Sequence, residues 1–268
     1  MKKFVLELSI GPLTPESKGE VARYWLDGAL SKLRPEMIAR LDSQSPIPST
    51  DQPLPEMFVG GSLALITWKP RRGGRGDGIT RYSTAQWKKF MTGLDDDYMH
   101  ASLAAYAISS PTTVSSPYFE VKAQAIPEEP DWVHLVVATT VEEFNYENES
   151  QLWIDFCFDA ANALSPIFGH STDDSEDLRT MQERELRWFP FETIPNGHVK
   201  LRGESWITVI PKSLVSRLGG VNGIRESGAF YDVRELAGGG AVVQASRYLE
   251  EYPQVRARIR EVLRPVLI

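Results

Sequence analysis

Three runs in the middle of the chain decide the fold: Tyr98–Ile108 (YMHASLAAYAI), Tyr118–Ile126 (YFEVKAQAI) and Trp132–Thr139 (WVHLVVAT). Each reads as a strand, and turns of hairpin-compatible length containing Pro and Ser separate them. Strands joined so closely predict an antiparallel meander. Working towards the N-terminus, Ser83-Thr84-Ala85-Gln86 fits a capping box, with a short helix behind it carrying Trp87, Phe90 and Met91. Ser62–Trp68 reads as a further strand. Arg71–Gly78, with four glycines and three arginines, reads as a mobile loop, and the proline-rich stretch Ser43–Pro55 as a surface loop. Ser17–Leu33 places Val21, Ala22, Trp25, Leu26, Ala29, Leu30 and Leu33 on one wide helical stripe. Pro35 breaks it and leaves a short helix near Glu36–Leu41. At the start, Phe4, Leu6, Leu8 and Ile10 alternate with polar positions in a half-buried strand that Gly11-Pro12 ends.

Towards the C-terminus, Glu149–Leu164 predicts a helix. Its buried stripe is Leu152, Trp153, Phe156, Cys157, Ala160, Ala161 and Leu164, with Asp155 and Asp159 facing away. Asp173–Leu186 reads as a polar helix or a partly ordered segment. Ser205–Ile210 is a strand, and Pro211 suits the first position of a helix over Lys212–Leu218 that Gly219-Gly220 closes. Phe230–Leu236 and Ala241–Ser246 form a hairpin, so Gly238-Gly239-Gly240 is a turn and not a phosphate loop. Pro253–Leu267 is a closing helix resting on a sheet, with Val255, Ile259, Val262, Leu263 and Val266 inward and Arg256, Arg260 and Arg264 outward. The order is neither strictly alternating nor all-β. It predicts an α+β fold: a mixed, mainly antiparallel sheet with helices packed on it. We read one domain over 1–268, whose weakest point near Phe168–Ser175 marks off lobes 1–168 and 169–268.

Composition narrows the function classes. With 268 residues, 42% hydrophobic and 24% charged, the chain is neither coiled coil, collagen nor wholesale disordered. The lone cysteine, Cys157, excludes an internal disulfide framework and reads as a buried, inert thiol. No apolar run approaches the ~20 residues of a membrane-spanning helix, and the expectation is a cytoplasmic protein without membrane contact. Net charge is -7, but residues 128–185 hold fifteen acids against Arg179 and Arg184 alone, so that segment is -13. An acidic face attracts a basic partner. Lys69, Arg71, Arg72, Arg75, Arg81, Lys88 and Lys89 form an opposing basic cluster against Asp77. Overall acidity argues against nucleic acid as the main partner, and only this cluster offers it a foothold.

Strong catalytic motifs are absent from the sequence. His100, His134, His170 and His198 are scattered, and His134 reads as a packed or solvated strand residue. His170, near Ser171, Asp173 and Asp174, is the first suspect for a catalytic base in the alternative reading of a small-molecule hydrolase or transferase. Asp95-Asp96-Asp97 and Asp173-Asp174-Ser175-Glu176-Asp177 lack the spacing of a calcium loop and read as solvated acids or partner contacts. Tyr82-Ser83-Thr84 with Glu183-Arg184-Glu185 matches an ADP-ribosyltransferase pattern only loosely, and capping already explains Ser83. Trp188, Phe189 and Phe191 lie in an aromatic loop just after the acidic segment, a suitable centre for a protein interface.

The C-terminal third has a further cadence. Glu204-Ser205-Trp206-Ile207-Thr208-Val209-Ile210 is followed by Leu214-Val215-Ser216-Arg217-Leu218-Gly219-Gly220, then by the hairpin with Ala241–Ala245 and the closing helix. Over about residues 150–268 this resembles the immunity proteins of bacterial polymorphic and type VI toxin systems. The resemblance implies a non-enzymatic antidote that binds one cognate protein toxin and occludes it, needing no cofactor, metal or catalytic residue. Physical reasoning then places the partner-binding residues at Asp173, Asp174, Glu176, Asp177, Trp188, Phe189 and Phe191, with Asp95, Asp96 and Asp97 second. The partner would carry a basic surface.

Overall fold

The computed structural model describes residues 2–43, 56–70, 78–94, 98–110, 113–126, 129, 131–173 and 178–268. Strand β1 (Lys3–Ile10) leads into helices α1 (Pro15–Leu33) and α2 (Pro35–Ser43). Then follow β2 (Ser62–Pro70), β3 (Gly78–Arg81), α3 (Thr84–Gly93), β4 (Tyr98–Ser110), β5 (Thr113–Val114), β6 (Phe119–Ala125) and β7 (Val133–Thr140). After α4 (Tyr146–Leu164) come β8 (Phe168–Thr172), α5 (Met181–Leu186), α6 (Pro190–Thr193) and β9 (Ile207–Ile210). Helices α7 (Lys212–Arg217) and α8 (Gly220–Glu226), strands β10 (Asp232–Glu235) and β11 (Ala241–Gln244), and α9 (Tyr252–Leu263) complete the chain.

One sheet runs in the order β10-β11-β9-β8-β1-β7-β6-β4-β2-β3, with β5 attached to β4. Every pairing of these strands is antiparallel. The α+β expectation therefore holds, and β4, β6 and β7 are the meander read from the sequence. The N-terminal strand lies at the sheet's centre, between β7 and β8. Strand β8, where the lobe boundary was expected, is itself an inner strand of this sheet.

A central strand can be covered on both sides, and β1 is. Phe4, Leu6, Leu8 and Ile10 join the main core with Trp25, Leu26, Ala29, Trp153, Phe156 and Cys157 from α1 and α4. Phe4 stacks on Phe144 with centroids 4.1 Å apart and meets Trp153 edge-on at 5.0 Å. Val5 on the opposite face packs with Val136, Ala138 and Leu178. That second face is covered by the segment 178–204, which contains α5 and α6.

Several local expectations shift by a residue or a face. Ser83 caps α3 by accepting from the Gln86 amide at 3.2 Å. On α4, Leu152 is 40% exposed, and Ile154 takes its place in the buried stripe. Asp155 and Asp159 do face away, and they pair with Arg234 and Lys32, each at 2.7 Å. Pro211 is the N-cap of α7 rather than its first residue. Gly219 adopts a left-handed turn (φ 84°), after which Gly220 opens α8, a helix the sequence reading missed. On α9, Arg256 and Arg260 do not simply face out: they are half-buried, and their partners are Glu204 and Glu185.

Candidate functional site

Beside the Val5–Val136–Ala138 patch, the second face of the sheet carries buried polar side chains. Register brings them together: Glu7 on β1 lies opposite His170 on β8, and Ser9 lies opposite His134 on β7. Glu7, His170 and Arg202 are fully buried. His170 Nε2 lies 3.1 Å from Glu7 Oε2, and His134 Nε2 lies 2.6 Å from Glu7 Oε1. An ionised carboxylate only accepts, so His170 donates from Nε2 to Glu7, while its Nδ1 lies 3.0 Å from the Ser205 hydroxyl.

Arg202 enters this cluster from the covering segment. Its Nη1 donates to Glu7 Oε1 and to Ser9 Oγ at 3.3 Å. Nε and Nη2 donate to the two carboxylate oxygens of Glu183 at 2.8 and 3.2 Å, and Nη2 also reaches the Leu178 carbonyl at 3.0 Å. All five guanidinium N–H donors thus have an acceptor, which is what makes a buried charge tolerable. The guanidinium also sits over the Phe168 ring, 5.0 Å from its centroid. Burial by itself pushes the Glu7 carboxyl up, but Arg202, His134 and His170 overcome it and hold the group well below the ordinary carboxylate value. Burial likewise lowers Arg202, and Glu7 and Glu183 more than reverse that, so its value is raised.

The ion cluster fastens a surface. Thr180 caps α5 in a reciprocal box: its hydroxyl accepts from the Glu183 amide at 3.1 Å, and its own amide donates to Glu183 Oε2 at 2.7 Å. Glu183 also accepts from the Thr193 hydroxyl, tying α6 to α5. Arg187 turns the chain in the left-handed region (φ 60°), and the Trp188 amide returns to the Glu183 carbonyl at 2.9 Å. Outside these anchors Leu186, Trp188, Phe189 and Phe191 are 42%, 42%, 50% and 46% exposed. Phe189 and Phe191 stack with centroids 5.7 Å apart, and Arg179 covers Phe189 at 5.2 Å. A run of large exposed apolar side chains on a rigid base is a mark of a binding surface.

The acidic segment behaves differently from the expectation of an acidic face. Among the eleven described acids of the segment, seven pair with cations from outside it: Asp131, Glu149, Asp155, Asp159, Asp173, Glu183 and Glu185. Much of the sequence asymmetry is therefore neutralised within the fold. Among the described acids of the segment, Glu129, Glu142, Glu143 and Glu147 are exposed, and so are the paired Asp131, Asp155, Asp159 and Glu185. Of the predicted contact residues, Asp173 pairs with Lys2 at 2.6 Å. Asp174, Glu176, Asp177, Asp95, Asp96 and Asp97 lie outside the described residues. His170 lies in strand β8, and its partners are Glu7 and Ser205 rather than Asp173.

Two surface grooves lie away from this cluster. One of about 760 Å³ runs between α1 and α3, and one of about 430 Å³ lies beside the start of α2 near Gly60, Gly61 and Tyr118. Neither is lined by His170 or Ser205. Among the described residues, no group of three or more His, Cys, Asp and Glu is arranged to hold a metal ion, and no helix is long and apolar enough to cross a membrane.

No family model and no curated protein matches the chain. A solved structure does. It is that of Pseudomonas aeruginosa T6SS protein PA0821, with a TM-score of 0.59 and 14% identity, covering 99% of this chain and 74% of that one. At that identity the likeness establishes a shared fold.

Proposed function

We propose that this chain is a type VI-associated immunity protein, which binds a cognate protein toxin and occludes it without catalysis of its own. The observation that carries the reading is the exposed Leu186–Trp188–Phe189–Phe191 surface, seated on the buried Glu7–Arg202–Glu183 cluster. Rigid aromatic anchors supply contact area at low entropic cost, which is what tight inhibition needs. The shared fold with a type VI secretion system protein and the Trp206–Gly220 cadence support the same reading. The partner surface would bury these aromatics centrally and meet the exposed acids with basic groups at its rim.

The test is co-purification of the tagged protein from its host at low salt, followed by expression of the captured protein alone. A partner that kills cells by itself, and whose toxicity this chain relieves, supports the reading. Trp188→Ala with Phe189→Ala and Phe191→Ala should abolish relief while leaving the melting temperature unchanged. Relief that survives this variant removes the aromatic surface from the account.

The rival reading, a hydrolase, draws on the Ser205–His170–Glu7 chain of hydrogen bonds. A general base needs access to substrate, and here His170 is fully buried and Ser205 is 6% exposed. Turnover of p-nitrophenyl esters that is lost in Ser205→Ala would favour it.

A further inference from the structure

The basic cluster has no part in the proposed toxin-binding surface, and the structure sets one of its members, Lys88, in the wall of a groove. Helices α1 and α4 pack closely because Gly28 leaves room for Phe156; a Cβ there would lie 3.2 Å from Phe156 Cε2. Helix α3 stands off from α1, and the space between them is the groove of about 760 Å³. Phe156 and Gly28 form its floor, and Tyr24, Trp87 and Met91 supply its apolar walls. Tyr24 is 39% exposed although its ring is held on a helix, so the wall presents aromatic surface to solvent.

The rim is basic. Arg23, Lys32 and Lys88 line the groove against the single acid Asp27. Arg23 donates to the Leu94 carbonyl just beyond α3, which fixes the groove's width on that side. Lys32 pairs with Asp159 at 2.7 Å. Lys88 stands on the α3 side of the groove, and its exposed neighbour Lys89 adds a second positive charge on the same helix.

We propose that this groove binds an acidic amphipathic helix of a protein partner. A helix presents apolar side chains at i, i+3, i+4 and i+7, and such a stripe fits a trough walled by two helices and floored by an aromatic ring. Acids flanking the stripe would meet Lys88 and Arg23, with Lys89 adding to the positive field on α3. Nucleic acid suits the site less well, because phosphates would face Tyr24, Met91 and the carboxylate of Asp27. The proposal uses none of the residues of the toxin-binding surface, so the two can fail separately.

The probe is a fluorescein-labelled peptide of about 20 residues, with Leu at the helical i, i+3, i+4, i+7 positions and Glu on the remaining face. It is titrated against the full chain at low salt. A scrambled peptide of equal composition and a labelled DNA duplex serve as comparators. We expect saturable binding, at least tenfold tighter than the scrambled peptide or the duplex. Lys88→Glu with Lys89→Glu should weaken it tenfold or more. Ser31→Trp, which fills the groove from an exposed position on α1, should do the same. Thermal melts of both variants establish that they fold, and the double variant changes only exposed side chains. Equal binding of the scrambled peptide, tighter binding of DNA, no saturation, or indifference to Ser31→Trp would each overturn the proposal.

Discussion

Replacing Arg202 by Met tests the account of how the binding surface is held. The methionine keeps most of the volume but removes the charge between Glu7 and Glu183, both fully buried. Two carboxylates then face each other across an apolar gap with five N–H donors gone. Removing one partner of a buried ion pair costs about 3–5 kcal/mol. Against a total stability of about 5–15 kcal/mol this is a large share. At about 2–4 °C per kcal/mol for a chain of this size, the melting temperature should fall by about 6–20 °C. Urea denaturation gives the free energy, and limited proteolysis shows whether cleavage concentrates in 178–204, the segment Arg202 fastens. Adding Glu7→Gln and Glu183→Gln to Arg202→Met should restore part of the loss, because the uncompensated charges are gone. A loss below about 1 kcal/mol, the range of a surface pair, would refute the reasoning, as would a triple variant no more stable than the single one. The pH dependence has a definite sign. Glu7 is held below its ordinary value in the fold, so its stabilisation is present above the unfolded glutamate value and lost as pH falls through the folded one. Stability should therefore decline below about pH 4.3, and Glu7→Gln should flatten that decline.

Other substitutions probe other links. Cys157 is fully buried and its thiol is pushed up to about 12, by burial against a weaker opposing pull from Arg234. It should resist a disulfide reagent in the native protein at pH 8 and react at once in denaturant. Thr180→Ala removes the hydroxyl half of the α5 capping box and its bond to the Arg202 carbonyl at 2.7 Å. It should cost about 1–2 kcal/mol in urea and raise proteolysis near α5. Gly169→Ala places a Cβ 2.4 Å from Leu8 Cδ2 and 2.8 Å from Val209 Cγ2, between β1 and β9. Overpacking of this kind should cost about 1–3 kcal/mol, read as a lower melting temperature.

Most of the fold was legible from local pattern. Alternation in Phe4–Ile10, the stripes of α1 and α4 and the spacing of the three middle strands depend on neighbours within one element, so sequence periodicity reports them directly. Helix α8 escaped because a Gly-Gly pair ordinarily closes a helix, whereas here Gly219 makes the turn and Gly220 begins again. The aromatic loop could be located by its composition, and its side chains are exposed in the fold. The ion cluster could not. Glu7 looks like a solvent-facing position in an alternating strand, and Arg202 lies 195 residues away with no motif around it.

What the sequence by itself determined is the set of elements, their apolar faces and the antiparallel class of the sheet, since each follows from spacing along the chain. Only the tertiary structure decided that β1 is central. A strand's position in a sheet depends on pairings across long separations, here with β7 and β8. That position buries the polar face of β1 and turns Glu7 from a surface acid into the anchor of Arg202. It also decided the fate of the acidic segment, because a charge run states how many carboxylates there are and not which cations fold against them.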